Sequence, residues 1–156
     1  MNMLTRRGFL AAGAAAMAAA QLPHAAFAQA SPLALSATRR TLDINGRAAT
    51  VLGLAGPGGQ GLILDPGQRF QVDLTNDLDM PTIIHWHGQI PPNAQDGVPD
   101  MPMPLLQPGE KRSYDFTPMP GTFWMHSHVP TQEMQLLAAP LIVRSTDDLR
   151  ADRQEV

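Results

Sequence analysis

Two short stretches concentrate the side chains that could do chemistry. Residues 85–87 read His-Trp-His and residues 126–128 read His-Ser-His, and between them they hold four of the chain's five histidines. Successive side chains of a strand point to opposite faces, so positions i and i+2 share one. His85 and His87 then look the same way, with Ile83, while Ile84 and Trp86 turn into the core. By the same rule His126 and His128 share a face with Trp124. Side chains two apart on a strand start roughly 6.5–7 Å from each other, close enough to converge on one metal or to serve two neighbouring ones. If the two strands lie side by side, four imidazoles face a small common volume. Four neutral imidazoles without a thiolate suit copper, zinc, iron or nickel and disfavour hard, oxygen-seeking ions. A lone buried histidine is more often a satisfied core residue, but two such pairs are not explained that way. Spacing alone leaves copper and zinc both open.

The elements around these pairs read as strands. "RFQVDLTN" alternates Phe70, Val72 and Leu74 on one face with Arg69, Gln71 and Asp73 on the other, the pattern of a half-buried strand. "ALSATRRTLDINGRAATVLGL" is two extended runs joined at Asn45-Gly46, a strong hairpin signal because both central residues need positive φ. "GPGGQG" reads as a flexible loop, and residues 89–104 as a loop rich in Pro, Asp and Asn. "QPGEKRSYDFTP" reads as a turn and a strand, "GTFWMHSH" and "AAPLIVRS" as two further strands, and "TQEMQLLAA" as about one turn of helix. Fifteen prolines and regular turn signals point to an antiparallel all-β sandwich or barrel.

The N-terminal residues are read apart from this domain. "TRRGFL" sets Arg6 and Arg7 before an uncharged, Ala-rich run, and "AFAQA" offers small-residue cleavage sites after Ala28 or Ala30. That is the order of a secretory signal peptide, here of twin-arginine type, although Ala11 stands where a lysine often follows. The expectation is a cleavable leader over 1–28, a β domain over 29–145 and a polar linker or truncated end over 146–156. The destination would be periplasmic or secreted, with no stable membrane anchor. Without Arg6 and Arg7, nine Lys and Arg face fourteen Asp and Glu, and nothing forms a basic stripe, which disfavours nucleic acid as a partner. No cysteine is present, so neither a disulfide framework nor a thiolate ligand is available.

"PTIIHWHG" together with "GTFWMHSH" resembles the amino-terminal copper-binding domain of the multicopper oxidases, the laccase-like family. The resemblance runs from near Thr41 to Arg144 and takes in "DPGQRFQVDLTNDLDM", "DGVPD", "LLQPGEKRSYDF" and "AAPLIV". It implies a cupredoxin-like Greek-key β-sandwich. It also implies that His85 ligates a type 2 copper, and that His87, His126 and His128 ligate a binuclear type 3 pair. Asp96, in "QDGVP", would hydrogen-bond around the cluster and supply protons while dioxygen is reduced; otherwise it is a plain Asp-Gly turn residue. Copper ions and the carboxy-terminal cupredoxin domains of the same gene product are the implied partners.

The resemblance also shows what the sequence lacks. The family's cluster uses eight histidines, and its type 1 copper needs a cysteine; this chain offers four histidines for the former and none of the latter. Relatives continue into another domain after the "PLIV" strand and often carry glycines where this chain reads "MQLLAAPLIV". The expected function is therefore that of a domain supplying half of a trinuclear copper site in a laccase-like oxidase, in a truncated or fragmentary chain. The alternative is a stand-alone periplasmic copper-binding or buffering protein without catalysis. A third reading is a zinc hydrolase in which Glu133 or Asp96 serves as base. Met101, Met103, Met119, Met125 and Met134 add soft thioethers that would favour Cu(I), or else fill gaps in the core.

Overall fold

The computed structural model describes residues 31–150, which form a two-sheet β-sandwich. The expected leader and the last residues of the chain lie outside that span. Nine strands are described: β1 Leu33–Ile44, β2 Arg47–Gly56, β3 Gly59–Gln60, β4 Leu62–Leu64, β5 Phe70–Asn76, β6 Ile84–His87, β7 Lys111–Phe116, β8 Gly121–Ser127 and β9 Ala138–Val143. One α-helical turn, α1, spans Pro130–Glu133, and a 3-10 turn spans Asn93–Gln95. One sheet has the order β3-β2-β1-β5-β7 and the other β4-β9-β8-β6.

The hairpin read at Asn45-Gly46 is present. Ile44 pairs with Arg47 across a two-residue turn whose central φ values are 54° and 76°. The Asp43 carboxylate caps that turn by accepting the Gly46 N–H at 2.7 Å. β5 buries Phe70, Val72 and Leu74 as its alternation requires. These residues meet Leu35, Leu52, Leu54, Trp86, Tyr114, Met125 and Leu141 in one core between the sheets. Phe70 stacks on Phe116 at 4.5 Å and meets Trp86 edge-on at 4.7 Å, so aromatic packing fixes the depth of β6.

Three expectations need correction. The sheets are not purely antiparallel: β1 pairs with β5, and β4 with β9, in parallel. Periodicity tells which residues face the core but carries no information on pairing direction. Here the chain passes through β4 of the other sheet before β5 comes back beside β1 in the same direction. "GPGGQG" is a tight hairpin rather than a flexible loop, with Ala55 paired to Gln60. Finally, β6 begins at Ile84 and β8 ends at Ser127, so Ile83 and His128 lie just outside the strands that were read to include them.

Candidate metal centre

β6 and β8 are antiparallel neighbours, and their register sets the site. His85 lies across from His126, His87 across from Trp124, Trp86 across from Met125 and Ile84 across from Ser127. Cross-strand partners share a face, so the histidines and Trp124 gather on one side while Trp86 and Met125 enter the core. His128 follows directly on β8 and its ring sits 4.6 Å from that of His85 and 5.2 Å from that of His126. Nitrogens of His85, His126 and His128 all lie within 4.8 Å of one another. His87 joins through His126, its Nδ1 standing 3.4 Å from His126 Nε2. The two motifs, 39 residues apart in the chain, thus form a single cluster. Trp124 is partly exposed and lies flat against His126, with centroids 4.3 Å apart and planes 18° from parallel.

Hydrogen bonds set which nitrogens are free. His85 Nδ1 lies 2.8 Å from the Asp96 carbonyl oxygen, which can only accept, so Nδ1 carries a proton and Nε2 is the nitrogen left to offer a lone pair in the neutral ring. The Asp96 carboxylate is a second, longer neighbour at 3.4 Å. His126 Nδ1 faces two acceptors, the Ser127 carbonyl at 3.2 Å and the Glu133 carboxylate at 3.3 Å, which leaves Nε2 unprotonated toward His87. Backing one imidazole nitrogen so that the other is presented is the usual way a protein prepares a histidine for metal. Burial pushes His126 below the ordinary histidine pKa. The Ser127 carbonyl and Glu133 pull it partly back, and His128 and His85 push it further down. Burial also lowers His128, helped by His85 and opposed by Glu133 and Asp96. Both rings are therefore held toward the neutral form, which is the ligating one. Imidazole nitrogens backed in this way fit copper, whose affinity for such donors exceeds that of the other divalent first-row ions.

The loop that carries Asp96 is pinned in three places. The Trp86 indole N–H donates to the Gln95 carbonyl at 2.8 Å, and the Gln95 side-chain oxygen accepts the Asp115 N–H at 2.7 Å. Gly97, with φ +80°, packs so tightly on β6 that an added Cβ would stand 1.8 Å from the Ile84 carbonyl oxygen. Only glycine permits that approach, and the approach seats Asp96 against His85. Sequence reading found Asp96 but not Gln95 or Gly97; the "QDGVP" turn was their only signal.

The second pair is braced by α1. Gln132 is buried there, and its side-chain oxygen accepts hydrogen bonds from Thr82 at 2.7 Å and Ser127 at 2.9 Å. Its amide donates to the Pro81 carbonyl at 2.8 Å. Sequence reading did not single out Gln132, because one glutamine in a short polar turn has no periodic signature. Glu133, considered there as a hydrolytic base, backs His126 instead. Met125 lies in the core on the face opposite His126, and Met101 and Met134 are largely exposed.

A β-sandwich that presents four clustered imidazoles from adjacent strands defines a metal-binding domain of cupredoxin-like form. Comparison with known proteins gives the family: residues 37–148 match the multicopper oxidase family model, and the chain belongs to that family. It is 34% identical over 116 residues to copper resistance protein A of Pseudomonas syringae pv. tomato, covering 72% of this chain and 19% of that protein. It is 35% identical over 119 residues to Laccase-5 of Trametes versicolor, covering 70% of this chain and 22% of the laccase. Among solved structures, a multi-copper oxidase from Pseudomonas thermotolerans superposes with a TM-score of 0.65 at 34% identity, over 72% of this chain and 29% of that one. The chain therefore spans well under half the length of these relatives. It is a copper-binding domain of the multicopper oxidase family.

Proposed function

We propose that His85, His87, His126 and His128 hold copper, and that this domain supplies half the ligands of a trinuclear site in a laccase-like oxidase. The observation that carries this reading is the register of β6 and β8, which sets His85 across from His126 and gathers both pairs on one face. By family resemblance His85 serves the type 2 position, and His87, His126 and His128 the type 3 pair. The approach of His87 Nδ1 to His126 Nε2, at 3.4 Å, supports assigning those two to a shared position. Copper held there would supply one-electron redox chemistry coupled to reduction of dioxygen to water. The chain's own residues turn His85 Nε2 and His126 Nε2 toward the metal position, and burial holds His126 and His128 toward the neutral form. Asp96 holds His85 through its carbonyl, and its half-exposed carboxylate is placed to pass protons between solvent and the site.

The names of the relatives, copper resistance protein and laccase, support a donor that is a phenol or a metal ion. With no cysteine here, the type 1 copper and the remaining cluster ligands belong to other cupredoxin domains of the same gene product. Residues 1–28 act as a twin-arginine leader, with the domain over 29–145, a linker after it, and a periplasmic or secreted destination. The test is titration of the purified chain with Cu(II) against a competing chelator, together with oxygen uptake on a phenolic donor. Tight binding that is lost when the four histidines are replaced, with no oxygen uptake, is expected. Binding unaffected by those replacements overturns the ligand assignment, and sustained oxygen uptake by this chain overturns the half-site reading.

A further inference from the structure

Taking the four-histidine copper site as given, we propose that Gln132 is a positioning residue that fixes the open end of the β6–β8 ladder, and His128 with it, against the segment that leads into the first histidine pair. The registered β6–β8 ladder runs from His87↔Trp124 to Ile84↔Ser127 and stops there. His128 lies beyond it, held to the first segment through its N–H and the Ile83 carbonyl at a long 3.2 Å. Gln132 closes this open end of the ladder. Its oxygen accepts from Thr82, three residues before His85, and from Ser127, the residue between His126 and His128. Its amide donates to Pro81 on the same segment as Thr82.

The roles are specific. The Thr82 main chain is already engaged in both directions with Leu106, so its hydroxyl is what remains to join β8. The Ser127 hydroxyl donates to Gln132 and accepts the Val129 N–H at 3.0 Å, which turns the chain into α1 directly after His128. A primary amide offers, in one side chain, an oxygen for two hydroxyls and a donor for a carbonyl. In a buried site each of these links is strengthened and costly to leave unmade. The hydrogen bonds of the Gln132 side chain go to Thr82, Ser127 and Pro81, so it acts by holding the two segments that carry the histidines.

The test uses the full chain with Cu(II) as probe and three readouts: melting of the metal-free chain, Cu(II) affinity by chelator competition, and the Cu(II) electron paramagnetic resonance spectrum. Gln132→Met removes every polar link at similar volume. It is expected to lower affinity on the order of tenfold or more, and to shift the spectrum, while the metal-free chain still melts cooperatively. Gln132→Glu keeps the oxygen that the hydroxyls need and should fall between native and Met. A folded Gln132→Met with native affinity and spectrum overturns the proposal. Should Gln132→Met not fold, Thr82→Val, which cuts one link to β6, decides. A severalfold loss of affinity with a shifted spectrum supports the proposal, and native values overturn it. Native chain that binds no copper overturns the copper reading and this proposal with it, whereas native binding with unchanged variants overturns this proposal alone.

Discussion

His85 and His126 stand directly across from each other in the β6–β8 ladder, their rings 5.5 Å apart and nearly perpendicular. Each uses its Nδ1 proton on an acceptor behind it, the Asp96 carbonyl for His85, and Ser127 and Glu133 for His126. The pair is thus prepared for a ligand in front by what lies behind.

The metal-free chain should lose stability as pH falls through the histidine range. Burial lowers the pKa of His126 and His128 from the ordinary value of 6.5. Between the folded and unfolded values the unfolded chain binds more protons, so stability rises with pH. The contribution is complete above 6.5 and is lost as pH falls through the lowered folded values. Melting temperature in chelator should therefore drop between pH 7.5 and pH 5, and His126→Gln should flatten the slope. Asp115, held below its usual 3.8 by hydrogen bonding to Arg69, acts only in more acidic solution and does not confuse the window. A melting temperature flat from pH 7.5 to 5 would contradict the burial of these rings.

Gly97→Ala should damage both fold and site. Its positive φ alone costs of order 1–3 kcal/mol for a residue with a side chain. The added Cβ would also meet the Ile84 carbonyl, which belongs to rigid strand. Gly46→Ala is the control: φ is also positive, at +76°, but nothing lies within 4 Å of the added carbon. Denaturant unfolding should show the larger loss at Gly97. Copper affinity should fall for Gly97→Ala and stay native for Gly46→Ala, because only the former carries the loop that backs His85.

His85, His87, His126 and His128 stood out in the sequence because strand alternation is a two-residue rule that a motif displays on its face. Phe70, Val72 and Leu74 were legible for the same reason, and Asn45-Gly46 because its turn needs φ that few residues adopt. The parallel pairing of β1 with β5 was not legible, since pairing direction follows from the path of the whole chain. Nor were Gln132 and Gly97, whose importance comes from Thr82, Ser127 and Ile84, partners 50, 5 and 13 residues away that only folding brings near.

Trp86→Phe should destabilise the domain and loosen the loop. Trp86 is fully buried between Phe70 and Tyr114, and its indole N–H is the donor for the Gln95 carbonyl. Phenylalanine keeps much of the aromatic packing but leaves that carbonyl without its donor, a loss of about 1–3 kcal/mol. Trp86→Ala, which also opens a cavity, should lose about 3–5 kcal/mol. Urea unfolding of the three proteins would order them native, Phe, Ala. Equal stability of native and Phe forms would show that the indole N–H does not hold the loop.

Asp96→Asn separates the two things Asp96 can do. The closer contact to His85 is the backbone carbonyl at 2.8 Å, and the carboxylate is farther, at 3.4 Å. Asparagine keeps the carbonyl, the turn and the size of the side chain, so His85 should keep its tautomer and Cu(II) affinity should stay within about threefold of native, well inside the 10–100-fold typical of losing a histidine's hydrogen-bonding partner. The carboxylate's negative charge opposes the lowering of the His128 pKa, so its removal should leave His128 still harder to protonate. The imidazole resonances of His128, followed by NMR in the metal-free chain, should then titrate at lower pH in Asp96→Asn than in the native chain. A large fall in copper affinity instead would mean that the carboxylate, not the carbonyl, orients His85.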